Sequence, residues 1–192
     1  MSKVVLLAIM AFASCSLCFA RNNKNVSLVF APTDAATDYQ PKHLNDFMKA
    51  TFLIGNFADD RTSSDYIGVN NEEKNSPKYY SANGSVTDFV KKSTSSIMNQ
   101  FNIKLGNDYD FVINGSLKTL FVTEENTYIG KVQIEFTMLN RNSDTVCTCL
   151  AYGDSHRWGR SFSEKMYLEC ISNSLFTCLN DFMSQCDPRV KK

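Results

Sequence analysis

Glycine is scarce in this sequence, with eight residues in 192, and the eight are scattered. No cluster forms a phosphate-cradling loop, which excludes the nucleotide-binding motifs that rest on closely spaced glycines. An excess of charge is missing too: 20 Lys and Arg stand against 20 Asp and Glu. A protein held to nucleic acid by counterion release needs a basic face, and a polybasic membrane patch needs clustered cations. Neither is present. There is no internal repeat and no low-complexity tract. Cysteine is absent between residues 21 and 146 and then occurs at Cys147, Cys149, Cys170, Cys178 and Cys186. Beyond the first twenty residues, no apolar run approaches the roughly 20 residues that cross a bilayer.

Those first twenty residues have a pattern of their own. Lys3 supplies a positive start, Val4 to Ala13 an apolar run, and Ala11, Ala13, Ser14, Cys15, Cys18 and Ala20 a small-residue end. Arg21, Asn22, Asn23 and Lys24 follow at once. This is the layout of an export signal over residues 1–20, with one domain expected over 21–192. Cleavage fits after Ala20 or after Ala13. Phe12-Ala13-Ser14-Cys15 also resembles a lipobox, which would make Cys15 a lipidated N-terminus. An exported chain meets oxidising conditions, so some of the five later cysteines are expected to pair, with one left over.

Val26 to Phe30 and Ala50 to Phe57 read as strands, rich in β-branched and aromatic residues. Residues 62–83 are polar and read as a long surface loop. Ser85 to Asp88 matches a capping box and opens a helix over 86–102, whose Val86, Phe89, Val90, Ser93, Ile97 and Phe101 keep helical spacing. Three strands follow. In the first, Phe111, Ile113, Gly115, Leu117, Thr119 and Phe121 alternate with mostly polar residues, and a turn is expected at Glu124-Glu125-Asn126. In the second, Val132, Ile134, Phe136 and Met138 alternate with Lys131, Gln133, Glu135 and Thr137, so one face should be buried and the other wet. The third covers Thr145 to Tyr152. A second capping box, Ser161 to Glu164, opens a helix to Ser184. The order β-β-α-β-β-β-α predicts an α+β, two-layer sandwich: a mostly antiparallel sheet of about five strands, covered on one face by two helices.

Asp154-Ser155-His156-Arg157-Trp158 holds the residue types of a hydrolytic triad, but a triad needs them to converge from separate elements. They are expected in a loop before the last helix, with a structural or binding role, Trp158 packing on the core. A hydrolase using His156 is the least favoured reading. His43 sits in a polar linker and is expected to be exposed. Cys147 and Cys149 share one face of a strand, a spacing that does not match zinc sites. Cys170, Cys178 and Cys186 drift around a helix, so strand-to-helix disulfides are the expected use of the five. Asp59-Asp60-Arg61 reads as a turn with a local ion pair. Asn25-Val-Ser27, Asn83-Gly-Ser85 and Asn114-Gly-Ser116 match the N-glycosylation sequon. No catalytic, cofactor-binding or metal-binding residue is assigned.

The strand ending in Asp59-Asp60-Arg61, the loop with Ile67-Gly68, the helix, Gly106, Asn114-Gly115-Ser116-Leu117 and Tyr128-x-Gly130-x-Val132-x-Ile134 together resemble the YajG-type lipoproteins. The layout over about residues 50–183 is also similar to envelope domains of the TolB N-terminal and CsgG-type group. That resemblance implies two helices on a sheet, a lipid tether, no enzymatic activity and no cofactor. The expected partner is a protein of the cell envelope, with the membrane met only through the N-terminal lipid and no nucleic acid bound. The expected location is the periplasm or the periplasmic side of the outer membrane. The alternative is a secreted, disulfide-stabilised ligand-binding or effector-like protein.

Overall fold

The structure is a computed structural model that describes residues 24–33, 40–73, 76–159 and 162–189. The export segment and Cys15 lie outside the described residues. The elements are β1 (Lys24–Ser27), α1 (Leu44–Phe47), β2 (Thr51–Asp59), β3 (Gly68–Asn70), β4 (Lys78–Asn83), α2 (Val86–Gln100), β5 (Lys104–Leu105), β6 (Phe111–Glu124), β7 (Thr127–Asn140), β8 (Thr145–Trp158) and α3 (Glu164–Gln185).

The long hairpin of β6, β7 and β8 is the frame. Glu125 and Asn126 join β6 to β7, a two-residue connection that fixes register, with Glu125 N donating to Thr127 O at 3.1 Å. Pairing then runs from Glu124 opposite Tyr128 to Phe111 opposite Asn140. The β7–β8 turn is built by Asn140, whose side-chain oxygen accepts from Asn142 N and Asp144 N, both at 2.9 Å. Ser143 adopts a φ of 68° within it, a conformation that a short polar residue in a turn tolerates.

On its other side β6 carries two strands end to end. β2 runs parallel to its first half, from Phe52 opposite Phe111 to Asp59 opposite Leu117. β3 runs parallel to its last three residues. The chain crosses between them under Arg61, whose Nε and Nη2 each lie 2.7 Å from a carboxylate oxygen of Asp59. Arg61 also donates to Tyr66 O and Ser64 O. This fork-to-fork pair, with Arg61 buried, ties the crossover to the strand that precedes it. It holds the carboxyl of Asp59 below its usual range.

Alternation in β7 decides which face is covered. Val132, Ile134, Phe136 and Met138 are each at most 1 % exposed, as their spacing predicts. Each such side chain contributes about 1.5–3 kcal/mol relative to an exposed one. They lie under α3, which packs on β7 and β8, while α2 packs on β2 and on α3. Ser85 caps α2 by accepting from Asp88 N at 3.1 Å. Close approach of α3 depends on two glycines. A Cβ at Gly153 would lie 2.5 Å from Cys178 N, and one at Gly130 would lie 2.9 Å from Cys170 O.

Several expectations are corrected. The sheet has eight strands rather than about five, and it is mixed: β1–β4, β2–β5, β2–β6 and β3–β6 are parallel. A third, four-residue helix, α1, joins the predicted two. The expected loop at 62–83 contains β3 and β4, because the far half of β6 offers a hydrogen-bonding edge that a three-residue segment can use without any periodic signal of its own. The turn expected at Glu124 begins one residue later. The cap of α3 is Ser163, accepting from Met166 N at 3.5 Å, whereas Ser161 lies outside the described residues.

Candidate functional site

Among the described residues no helix covers the second face of β6, β7 and β8. On β8 this face presents Thr148, Leu150, Tyr152, Asp154, His156 and Trp158, all exposed. Trp158 is 86 % exposed, Tyr152 48 % and Leu150 37 %. Their neighbours across β7 are Thr127, Gln133 and Glu135, with Lys131 opposite Asp154 and Ile129 opposite His156. Phe121 on β6 lies opposite Lys131. Aromatic and aliphatic groups therefore alternate with charges across an open surface. At its centre Lys118 bridges Asp60 and Glu135, at 3.3 Å each. Ser116 donates to Asp60 as well. These contacts pull the carboxyl of Asp60 below its usual range.

The outer edge of β8 is not open in the same way. Tyr152 N donates to Asp181 Oδ2 at 2.9 Å, and Gln185 Nε2 donates to Leu150 O at 3.3 Å. Both partners come from α3. Side chains of the helix thus satisfy two of the backbone groups that would otherwise template another strand.

The Asp154–Trp158 segment is strand, not loop, and this disposes of a triad. Successive side chains of a strand point to opposite faces. Asp154 and His156 go to the open face. Ser155 points under α3, where its Oγ donates to Cys170 O at 2.6 Å and accepts from Ser174 Oγ at 2.9 Å. Trp158, expected on the core, is the most exposed large apolar residue described. The strand continues past Tyr152 because β7 is long enough to pair with it.

Among the described residues one disulfide is present, joining Cys147 of β8 to Cys186 at the end of α3. Cys149, Cys170 and Cys178 are thiols. Burial raises all three, Cys149 to about 11 and Cys170 and Cys178 likewise upward. Cys170 and Cys178 face the sheet: Cys178 Sγ lies 3.4 Å from Ala151 O. Cys149 Sγ lies 3.7 Å from Cys186 Sγ, so one thiol sits against the bridge. Beside it opens a cleft of about 770 Å³, lined in part by Phe111, Arg141, Val146 and Arg189.

His43 is not exposed as expected. Its side chain is 15 % exposed, with Nδ1 3.8 Å from Asp187. Asp46 completes a ligand-like trio with them. Arg189, however, already places its guanidinium on both carboxylates, at 3.3 Å from Asp46 and 2.8 Å from Asp187, which makes this an ion-pair knot rather than a cation cup. Of the sequons, Asn25 and Asn83 lie exposed at one sheet edge, while Asn114 is half-buried with its oxygen accepting from Asn56 N at 2.9 Å.

A buried polar cluster escaped the sequence reading. Glu124 is fully buried at the end of β6. Tyr128 and Asn70 beside its carboxylate favour the charged form, yet burial dominates and raises its pKa. Tyr128 also accepts from Ser163 N at 3.0 Å, which links the β6–β7 hairpin to the start of α3. Tyr167 donates to Ile67 O and Val122 O. The inward series Leu120, Val122, Glu124 was the available signal, and it was masked by the turn-like composition of Glu124-Glu125-Asn126.

No family model matches the chain and no curated protein matches it in sequence. Among solved structures it is similar to a Xanthomonas campestris protein of the DUF330 family, over 85% of this chain and 92% of that one, at 8% identity and a TM-score of 0.49. It is similar to a candidate lipoprotein from Caulobacter crescentus, over 53% of this chain and 80% of that one, at 7% identity and a TM-score of 0.42. A minor lipoprotein from Acinetobacter baumannii shares 67% of this chain and 88% of its own, at 10% identity and a TM-score of 0.34. At these scores the likeness carries no functional argument.

Proposed function

We propose that this chain is a non-enzymatic cell-envelope protein, tethered by lipid at Cys15, which binds a protein partner through the open face of β6, β7 and β8. The observation that carries the reading is Trp158 at 86 % exposure, with Tyr152 and Leu150 on the same face. Isolated apolar residues on a surface need no explanation, but Trp and Tyr grouped on one face with charges between them match the composition of interface anchors. The sheet is a rigid platform for them, so little ordering would accompany binding. The candidate residues of a hydrolytic site point to opposite faces, which supports a binding role over catalysis.

The test is photo-cross-linking in the native envelope, with a photoreactive residue placed at position 158 or, as a control on the helical layer, at Lys92. A discrete protein adduct from position 158 and none from Lys92 supports the reading. Equal labelling from both positions, or labelling by lipid alone, overturns it. Palmitate incorporation that Cys15→Ala abolishes supports the tether. Release of an unlipidated chain cut after Ala20 would instead favour a secreted, disulfide-stabilised protein, for which the Cys147–Cys186 bridge is the supporting observation.

A further inference from the structure

Three sulfurs lie within 4.8 Å of one another at the open end of α3: Cys147, Cys149 and Cys186. Two are joined and the third is a thiol 3.7 Å from one of the joined pair. Cys147 and Cys149 are two residues apart on β8, so both project toward α3. A residue is doubled at this point of the ladder: Met138 pairs with Cys147 and Leu139 with Thr145, which leaves Val146 bulged out. A bulge is where strand pairing yields most readily. Cys186 follows the last helical residue and is extended, with φ −101° and ψ 124°. Its N–H still donates to Phe182 O at 3.0 Å, so it is the residue at which the helix ends. Each partner of the bridge thus sits next to a break in regular structure, on the side where the 770 Å³ cleft opens.

We propose that these three cysteines form a disulfide relay, in which Cys149 displaces Cys147 from Cys186. The step is thiol–disulfide exchange and needs no external oxidant or reductant. The Cys149 thiol gives its proton to solvent, and its thiolate attacks Cys186 Sγ. The Cys149–Cys186 bond forms as the Cys147–Cys186 bond breaks. Cys147 leaves as a thiolate and takes up a proton. The product differs from the starting state in which thiol is free. Cys147 and Cys149 are both half-buried, and Cys147 adjoins Val146, a residue lining the cleft. The relay would move the free thiol two residues along β8, to the position next to the cleft-lining Val146, where a thiol- or disulfide-bearing partner could meet it.

The groups that face Cys149 set the rate. Among the described residues, Asp181 and Cys178 on α3 and the bridge itself surround it, and no cation contributes. The neighbours on β7 are apolar, Phe136 opposite Cys149 and Met138 opposite Cys147. The relay is therefore slow at neutral pH and accelerates as the thiol ionises.

The experiment maps free thiols in the protein carrying its native bridge. The sample is incubated at pH 9 without redox reagents, quenched in acid, alkylated under denaturing conditions and digested. Tandem mass spectrometry then distinguishes alkyl-Cys147 from alkyl-Cys149 within their shared peptide. Expected is alkylation of Cys147 at least about tenfold above that in Cys149→Ala, which lacks the attacking thiol. Equal alkylation of Cys147 in the two proteins overturns the proposal. A second variant, Cys147→Ala, oxidised in air, should close the Cys149–Cys186 bridge while keeping native circular dichroism. If it folds and leaves both thiols free, the relay is also overturned. If it does not fold, the comparison of wild type with Cys149→Ala decides.

Discussion

The backbone amide of Tyr152 donates to the carboxylate of Asp181 at 2.9 Å, and this bond caps a backbone donor on the outer edge of β8. Gln185 adds a second cap by donating both to Leu150 O and to Asp181 Oδ2. The double variant Asp181→Ala/Gln185→Ala should expose a stretch of unpaired strand. Its expected behaviour is concentration-dependent dimerisation or aggregation with about 1–2 kcal/mol of lost stability. Light scattering over a concentration series checks it. A variant that stays monomeric at millimolar concentration would show that the edge is protected by other means.

Glu124 should make stability depend on pH in a direction opposite to that of Asp59. Burial raises its folded pKa above the unfolded value. Its favourable contribution is then fully present below the unfolded pKa and is lost as pH rises through the folded pKa. Glu124→Gln replaces the acid by a permanently neutral group of the same shape. It is expected to raise the denaturation midpoint at pH 7.5 and to change it little at pH 4. An equal shift at both pH values would mean that the pKa of Glu124 does not differ between the folded and unfolded states.

Gly153 faces the backbone of α3, with only 2.5 Å between Cys178 N and the position a Cβ would take. Gly153→Ala should force α3 away from β8 and cost about 1–3 kcal/mol, a fall of about 2–12 °C in Tm for a chain of this size. Thermal unfolding measures it directly. The neighbouring change Asp154→Ala, on the open face, should stay within about 0.5 kcal/mol.

Trp158→Ala separates folding from function. At 86 % exposure the side chain contributes little to the core, so the change in stability should be under about 0.5 kcal/mol. Loss of binding to the envelope partner should reach about 2 kcal/mol or more, roughly thirtyfold in Kd, if Trp158 is an anchor. Binding measured with the partner captured by cross-linking checks this, and an unchanged Kd would remove Trp158 from the interface.

Local pattern carried the elements whose own residues specify them. The alternation from Val132 to Met138 determined which side of β7 is buried, because a strand's side chains switch faces at every residue. The spacing from Val86 to Ile97 and the cap at Ser85 determined α2, because the 3.6-residue turn and its unsatisfied first amides leave a sequence trace. Cysteine positions determined that a bridge was to be sought after residue 146, but not which pair would form it. Tertiary structure alone decided the rest. β3 exists because β6 extends beyond β2 and offers it an edge, and β4 then pairs with β3 and β1. Asp154 to Trp158 are strand because β7 holds them in register, against the preference of Gly153 and Asp154. Cys147 met Cys186, with Cys149 left alongside, because a bulge at Val146 and the end of α3 coincide in space. Residues far apart in the chain become neighbours only through packing, and sequence spacing does not encode those distances.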